Sequence, residues 1–334
     1  MLSENDRLKW VDYAKAIGIS LVVYGHVARG LVNAGIMPDS PSYQYIDSVI
    51  YTFHMPLFFF LSGLFLKSSF ESKGFGRALG SKVDAIIYPY ILWSLLQGGV
   101  EVVLSSYTNG NVSVGDVLSL FTSPRAQFWF LYALFLVFLT SLLVMRLAGA
   151  RALPALFIVS IVLYLSSLKF DFVVDFVLEN LVFFLVGAVF QQTKLIRFNS
   201  TIILCVILLI TMVGQYSFHS FGYTYLDRGV LLLTLSVVSI LAVVSLSDWL
   251  SRFNLSLMTY IGASSMAIYL MHILAGSGLR VMLSQILGVD SLFLHLLLGT
   301  LFGVLLPLFA LKIIDYFKIS YLFSLPISKF LVGK

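Results

Sequence analysis

Residues 10–32 read WVDYAKAIGISLVVYGHVARGLV, an apolar stretch long enough to cross the hydrocarbon core of a bilayer as a helix. The stretch also contains Asp12, Lys15 and His26, whose ionisable side chains are costly inside a membrane. Similar runs recur along the whole chain of 334 residues, of which 59% are hydrophobic and 11% charged. Soluble domains carry roughly 25% charged residues. The sequence therefore predicts an all-α polytopic membrane protein.

The apolar runs predict about ten transmembrane helices. Helices are expected because a spanning segment must satisfy its own backbone hydrogen bonds in lipid. The loops between the runs are short, so we expect a single integral-membrane domain over residues 1–334. The predicted spans are residues 11–32, 45–66, 84–104, 127–146, 152–168, 177–192, 200–217, 228–248, 257–275 and 291–314.

The basic residues predict the orientation of these spans. Fifteen Lys and Arg residues fall in the N-terminal segment and in every second loop, against five in the other loops, with Lys15 inside the first span. Basic residues concentrate on the cytoplasmic side of membrane proteins. Both termini are therefore predicted to be cytoplasmic. The net charge of +5 is explained by this distribution and requires no nucleic-acid partner.

The first predicted helix carries an unusual polar stripe. Lys15 and His26 are eleven residues apart, which is about three helical turns, so both lie on one face with about 16 Å between them along the axis. Asp12 precedes Lys15 by one turn and is within pairing reach. Asp12 and Lys15 are compatible with a simple neutralising pair, and His26 with a hydrogen-bonded structural histidine. Histidine is also the side chain best suited to proton transfer near neutral pH.

Two more histidines fall within predicted spans in the same half of the membrane. His54 lies in the second span and His272 near the end of the ninth, so both are candidates for a polar cavity shared with His26. A metal site is the alternative, but no span shows paired ligands at positions i and i+4, and we expect no metal. His219 in an outer loop and His295 early in the last span are interpreted as interfacial or structural.

The loop predicted at residues 67–84 combines positive charge with glycine. One interpretation is positive-inside topology with contact to anionic membrane lipids. The other is a flexible cationic patch for a phosphorylated cofactor. The candidate cofactor-binding residues are Lys67, Lys73, Arg77 and Lys82.

Four segments resemble the membrane-bound acyltransferase 3 family. Lys15 and His26, with ten residues between them, are similar to the basic residue and histidine that open that family. FHMPLFFFLSG at 53–63 resembles the second-helix signature of the fucose 4-O-acetylase-like branch. FWFLYAL at 128–134 and SMAIYLMH at 265–272 resemble elements of later helices. The chain departs from the family's Arg-x-x-Arg element after helix two, since Lys73 and Arg77 are four residues apart.

The resemblance implies transfer of an acyl group, usually acetyl, from acetyl-CoA to a hydroxyl of a glycan or lipid-linked sugar in the bacterial cytoplasmic membrane. His26 would act as general base or as acyl carrier, with Lys15 paired to Asp12 or to a phosphate. The candidate substrate-binding residues are His54, Trp129, Tyr132 and His272.

A transporter or flippase for a glycolipid or small polar solute is the competing interpretation. Charged and histidine side chains within spans also serve proton-coupled carriers. The chain shows no internal repeat of the kind many carriers have, and its polar residues concentrate in the first helix. These observations favour the enzyme.

Overall fold

The computed structural model describes residues 4–104, 112–166, 168–170, 172–193 and 200–328, and within these ranges it contains helices and no strand. The longest helices are apolar along most of their length, as residues in lipid must be. The α-helices are α1 Glu4–Asn33, α2 Pro41–Tyr51, α3 His54–Gly63, α4 Leu66–Lys82, α5 Tyr88–Val103, α6 Val114–Leu118, α7 Trp129–Ala148, α8 Leu153–Leu165, α9 Phe172–Thr193, α10 Thr201–Ser220, α11 Val230–Ser251, α12 Ser256–Ala263, α13 Ser265–Val281 and α14 Leu292–Tyr316.

Nine helical segments in the described ranges are long and apolar enough to cross a membrane. A shorter apolar helix, Ala150–Leu165, coincides with the fifth predicted span. The prediction of an all-α polytopic membrane protein with about ten transmembrane helices is confirmed. The cytoplasmic location of both termini stays a prediction.

The ninth predicted span is displaced along the chain. The prediction placed it at 257–275, but the apolar segment is Ser265–Ile286, because α12 is a separate short helix and a π-helical turn at Met282–Ile286 extends α13. Arg280, which the prediction placed in a loop, consequently lies within α13.

The prediction of a loop at residues 67–84 is also wrong. This segment is helical, because α4 occupies it and leads through a π-helical turn at Val83–Ile87 into α5. The backbone departs from helical geometry at Gly74, whose φ of 70° suits glycine. A hydrogen bond from Arg77 Nε to the Lys73 carbonyl spans this bend. The cationic residues therefore lie on a kinked helix.

The chain forms two compact units. The first comprises the described residues within Met1–Phe58 and Ile196–Phe317. In it, α1 is the central helix and packs against α11, α12, α13 and α14. The second comprises those within Phe59–Leu195 and Lys318–Lys334. A single functional domain over residues 1–334 stays a prediction.

Glycines let α14 approach α1 closely in the first unit. A Cβ added at Gly299 would lie 2.8 Å from a methyl group of Val27, and one at Gly303 would lie 2.5 Å from a methyl group of Val23. These glycines are four residues apart, as are the valines, so each pair lies on one helix face. Small residues are what membrane helices use for such close contacts.

In the second unit, α3 and α9 cross with their backbones in contact. A Cβ at Gly63 would lie 1.8 Å from the Phe184 carbonyl oxygen, and one at Gly187 would lie 2.0 Å from the Phe60 carbonyl oxygen. Only glycine fits at either position without separating the two helices.

Gly187→Ala is expected to destabilise the protein by about 1–3 kcal/mol, because the added methyl group meets backbone that cannot move aside. The measurement is the apparent melting temperature of the protein in detergent. Gly99→Ala in α5 is the matched control, since a Cβ there meets open space. Equal melting temperatures for the two variants would contradict the crossing.

Candidate active site

Three histidines and an arginine surround a small cavity in the first unit. His26 of α1, His272 and Arg280 of α13, and His295 of α14 are among the residues that line it. The cavity has a volume of about 30 Å³. That is room for roughly two water molecules. The rings of His26 and His272 lie 5.1 Å apart between centroids. The expectation that these two histidines share a polar cavity matches this arrangement.

Backbone carbonyls define the hydrogen positions of two of these rings. His272 Nδ1 lies 2.7 Å from the Tyr269 carbonyl oxygen and 3.1 Å from that of Ile268, and His295 Nε2 lies 2.8 Å from the Val289 carbonyl oxygen. Because a carbonyl oxygen only accepts, each of these nitrogens donates a hydrogen. In the neutral ring the other nitrogen then has a lone pair. These nitrogens, His272 Nε2 and His295 Nδ1, are buried without a hydrogen-bond partner among the described residues.

The sequence interpretation of His295 as interfacial or structural did not anticipate its place on the cavity lining. Its side chain is only 2% exposed because α14 packs closely on α1. His219 likewise lies in the last turn of α10 and not in a loop, with Nε2 2.9 Å from Ser48 Oγ. The burial of His295 and the contact of His219 with Ser48 both depend on residues far apart in sequence.

His54 is buried but is not among the described residues that line the cavity. Its Nδ1 lies 2.8 Å from the Ile50 carbonyl oxygen, and its ring and that of Tyr51 form a T-shaped pair with 4.4 Å between centroids. A role for His54 in substrate binding stays a prediction.

Arg29 lies over the Tyr51 ring and is held there by several contacts. Its guanidinium makes two hydrogen bonds to the Asp47 carboxylate, at 2.7 and 2.8 Å, and lies 3.4 Å above the Tyr51 ring. A third contact reaches the Tyr225 hydroxyl at 3.3 Å. Arg29 was counted as a loop residue from sequence, whereas the structure places it inside α1 with its charge balanced by Asp47.

Asp12 and Lys15 form the expected pair on α1, with Lys15 Nζ 3.5 Å from Asp12 Oδ1. Both side chains are partly exposed. The unbroken helix Glu4–Asn33 confirms the geometry from which the separation of Lys15 and His26 was calculated. The assignment of Asp12 and Lys15 to catalysis stays a prediction.

Trp129 and Tyr132 belong to α7 in the second unit. Trp129 stacks on Phe176 with 5.6 Å between ring centroids, and the Tyr132 hydroxyl donates to the Phe121 carbonyl oxygen at 3.1 Å. Tyr132 is 8% exposed. Their proposed contact with a sugar stays a prediction.

The four cationic candidates on α4 differ in surroundings. Lys73 and Arg77 are exposed, and Lys67 lies 3.9 Å from Glu71 on the next turn. Lys82 instead places its Nζ 4.1 Å from the centre of the Phe138 ring. The expected flexible loop is therefore incorrect, since these residues lie on a kinked helix. Binding of a phosphorylated cofactor to these residues stays a prediction.

Arg280 is the site residue that the sequence interpretation missed. It follows His272 by eight residues, about two helical turns, so both lie on one face of α13. Its Nη1 donates to the Gly30 carbonyl oxygen at 2.7 Å, which links α13 to the turn of α1 after His26. The helical spacing from His272 could have indicated Arg280. It was overlooked because the ninth span was predicted to end before this arginine.

A family model described as an acyltransferase domain matches residues 8–312. The nodulation protein NolL of Mesorhizobium japonicum is 31% identical over 139 residues, covering 40% of this chain and 35% of that protein. NolL of Sinorhizobium fredii is 29% identical over 194 residues, covering 57% and 50%. The inner membrane protein YcfT of Escherichia coli is 26% identical over 302 residues, covering 79% and 78%.

The chain thus matches half or less of the length of the two nodulation proteins and most of YcfT. No solved structure matches it significantly. The four motif segments noted in the sequence all fall within the region matched by the family model.

Asp47→Ala is expected to lower stability by about 1–3 kcal/mol, because Arg29 would lose both charge-assisted hydrogen bonds in a partly buried position. Thermal unfolding in detergent measures the change. Glu71→Ala, which breaks the exposed pair with Lys67, is the control and should change stability by about 0–1 kcal/mol. An Asp47→Ala protein as stable as the wild type would show that the pair is not structural.

Proposed function

Since the chain belongs to the acyltransferase 3 family and is a membrane acyltransferase, we propose that it transfers an acetyl group from acetyl-CoA to a hydroxyl of a cell-envelope sugar or polysaccharide precursor. The observation that carries the proposal is the histidine-lined cavity around His26, inside the region matched by the family model. The proposed location is the bacterial cytoplasmic membrane, which the likeness to the inner membrane protein YcfT supports.

His26 is assigned the proton transfer. Its imidazole accepts the proton of the acceptor hydroxyl while the oxygen attacks the thioester carbonyl carbon. The tetrahedral intermediate then collapses, the carbon–sulfur bond breaks, and the CoA thiolate takes up the proton. In the two-step alternative His26 attacks the thioester first and the CoA thiolate leaves; the acceptor hydroxyl then attacks the acyl-imidazole, the carbon–nitrogen bond breaks, and the hydroxyl proton neutralises the thiolate. The partly exposed His26 ring on the cavity supports either route.

His272 and His295 support the acceptor side of this scheme. Each ring is held by an N–H group that donates to a backbone carbonyl, and its other nitrogen, which carries the lone pair, is suited to accept a hydrogen bond from a sugar hydroxyl. A buried acceptor without a partner is unfavourable, so the cavity favours a ligand that supplies hydroxyl donors.

Lys15 indicates the direction from which the donor arrives. Its separation from His26, about 16 Å along α1, matches the reach of a long thin thioester arm whose phosphates stay at the membrane surface. Lys15 lies near the N-terminal end of α1, which the basic residues predict to be cytoplasmic, where acetyl-CoA is available. The proposal assigns Lys15 to a phosphate or to its partner Asp12.

His26→Ala is expected to lower acetyl transfer by about 10²–10⁴-fold, the usual contribution of a general acid–base residue. The assay measures transfer of radioactive acetyl from acetyl-CoA to envelope glycan in membranes that contain the protein. His219→Gln is the control, because that histidine contacts Ser48 and lies off the cavity lining. A His26→Ala protein with full activity would rule out the assignment.

The same assay separates the enzyme from the transporter alternative. Label in an alkali-labile ester on glycan requires acyl transfer. Movement of a glycolipid across the bilayer without such label would favour a flippase and would contradict the proposal.

Lys15→Gln is expected to raise the KM for acetyl-CoA and to leave the KM for the acceptor unchanged, because only the donor's phosphates would lose a charged partner. Initial rates at varied acetyl-CoA measure the effect. Lys312→Gln removes an exposed charge of α14 and serves as the control. An unchanged KM for acetyl-CoA would refute the donor role of Lys15.

A further inference from the structure

Arg280 supplies the positive charge of the cavity. Its Nη1 donates to the Gly30 carbonyl oxygen, and this bond uses only one of the several N–H donors of a guanidinium. The side chain is partly buried and lines the cavity together with His26. The arginine thus retains donors for a ligand next to the reacting groups.

No carboxylate forms an ion pair with Arg280 among the described residues. Arg29, also within a helix, contrasts with it through its double hydrogen bond to Asp47. A cation without a counterion is unfavourable among apolar helices. Arg280 therefore favours a ligand that brings the missing negative charge.

The other residues that line the cavity further define which ligand would fit beside Arg280. The described residues that line the cavity include no acidic side chain, and His272 and His295 each offer a lone pair. A ligand that satisfies the polar groups of the cavity would therefore offer an anionic group to Arg280 and hydroxyl donors to the two histidines. A sugar that bears a carboxylate or phosphate beside free hydroxyls supplies both through these groups, since a cavity of about 30 Å³ does not enclose a whole sugar ring.

The point at which Arg280 of α13 contacts α1 indicates which substrate carries the anion. Gly30, its contact, follows His26 by one turn, about 6 Å further along the helix axis. Lys15 precedes His26 by eleven residues, so the two cations lie on opposite sides of His26. If donor phosphates dock near Lys15, the anion at Arg280 belongs to the acceptor.

We propose that Arg280 binds an anionic group of the acceptor, which is an acidic glycan whose carboxylate or phosphate lies close to the hydroxyl that His26 deprotonates. This inference rests on the proposed acetyl transfer. The anion has two possible sources with the same chemistry: a carboxylate of the sugar itself, or the phosphate that links a sugar to lipid.

The first test is the charge of the labelled product. Native membranes that contain the protein and its acceptor are incubated with radioactive acetyl-CoA, and the labelled glycan is applied to an anion-exchange resin at neutral pH. Retention supports the proposal. Loss of retention after carbodiimide amidation assigns a carboxylate, and loss after phosphodiester cleavage assigns a phosphate. A labelled glycan that is neutral before either treatment overturns the inference and leaves the proposed function intact. Absence of labelled glycan refutes the proposed function and this inference with it.

The second test uses variants with the anionic glycan isolated in the first. Arg280→Gln is expected to raise the KM for that acceptor by about 10–100-fold, as for loss of a charge-assisted hydrogen bond, with the KM for acetyl-CoA unchanged. Arg280→Lys keeps the charge and a donor for Gly30 but loses the planar fork, so an intermediate KM is expected. Arg146→Gln, at an exposed position of α7, is the control.

A fall in kcat with an unchanged acceptor KM would overturn the assignment, because it would place Arg280 on the transition state or in a purely structural link to Gly30. If Arg280→Gln fails to fold, the lysine variant and the charge of the wild-type product still decide the question.

Discussion

Val23 and Val27 of α1 press against Gly303 and Gly299 of α14, and this contact leaves no room for a side chain at either glycine. In lipid, burial of apolar surface does not drive helices together. Close packing of this kind stabilises their association instead. The contact buries His295 beside α1, and α13 brings His272 to within 5.1 Å of His26 between ring centroids. The cavity exists because three helices meet around these small residues.

Polar groups within the first unit follow one rule, since each needs a partner inside the protein. Arg29 has Asp47, and the histidine N–H groups have backbone carbonyls. Several buried polar atoms of this unit have no hydrogen-bond partner among the described residues, and two of them, His272 Nε2 and His295 Nδ1, lie at the cavity beside Arg280, which has no counterion among those residues. The two histidine nitrogens are hydrogen-bond acceptors, and Arg280 is a cation. Because they lie at one cavity, they indicate a ligand with hydroxyl groups and a negative charge.

The sequence predicted the helical class, the number of spans and the Asp12–Lys15 pair, because hydropathy and helical spacing are local properties. Motif order also identified the family that the comparison confirms. Arg280 was missed because the ninth span was predicted to end before it, and the place of His295 on the cavity depends on packing of α14 against α1, which is distant in sequence. The loop at 67–84 was wrong because its charges suggested exposure to water, whereas long side chains with exposed charges also suit a helix at the membrane surface. Catalytic roles depend on how the substrates bind, and neither the hydropathy of the sequence nor the packing of the helices reveals this.

Cross-linking of α1 to α14 tests most directly whether this packing builds the site. A Cβ at Gly299 would lie 3.8 Å from the Val27 Cβ, a separation that suits a disulfide. In a Cys205→Ser background, Val27→Cys with Gly299→Cys should form a disulfide on mild oxidation and resist maleimide–polyethylene glycol labelling until reduced. Val27→Cys with Gly278→Cys should remain labelled, since a Cβ at Gly278 has no neighbour within 4 Å. Full labelling of the Val27–Gly299 pair after oxidation would contradict the arrangement of α1 and α14 on which the active site depends.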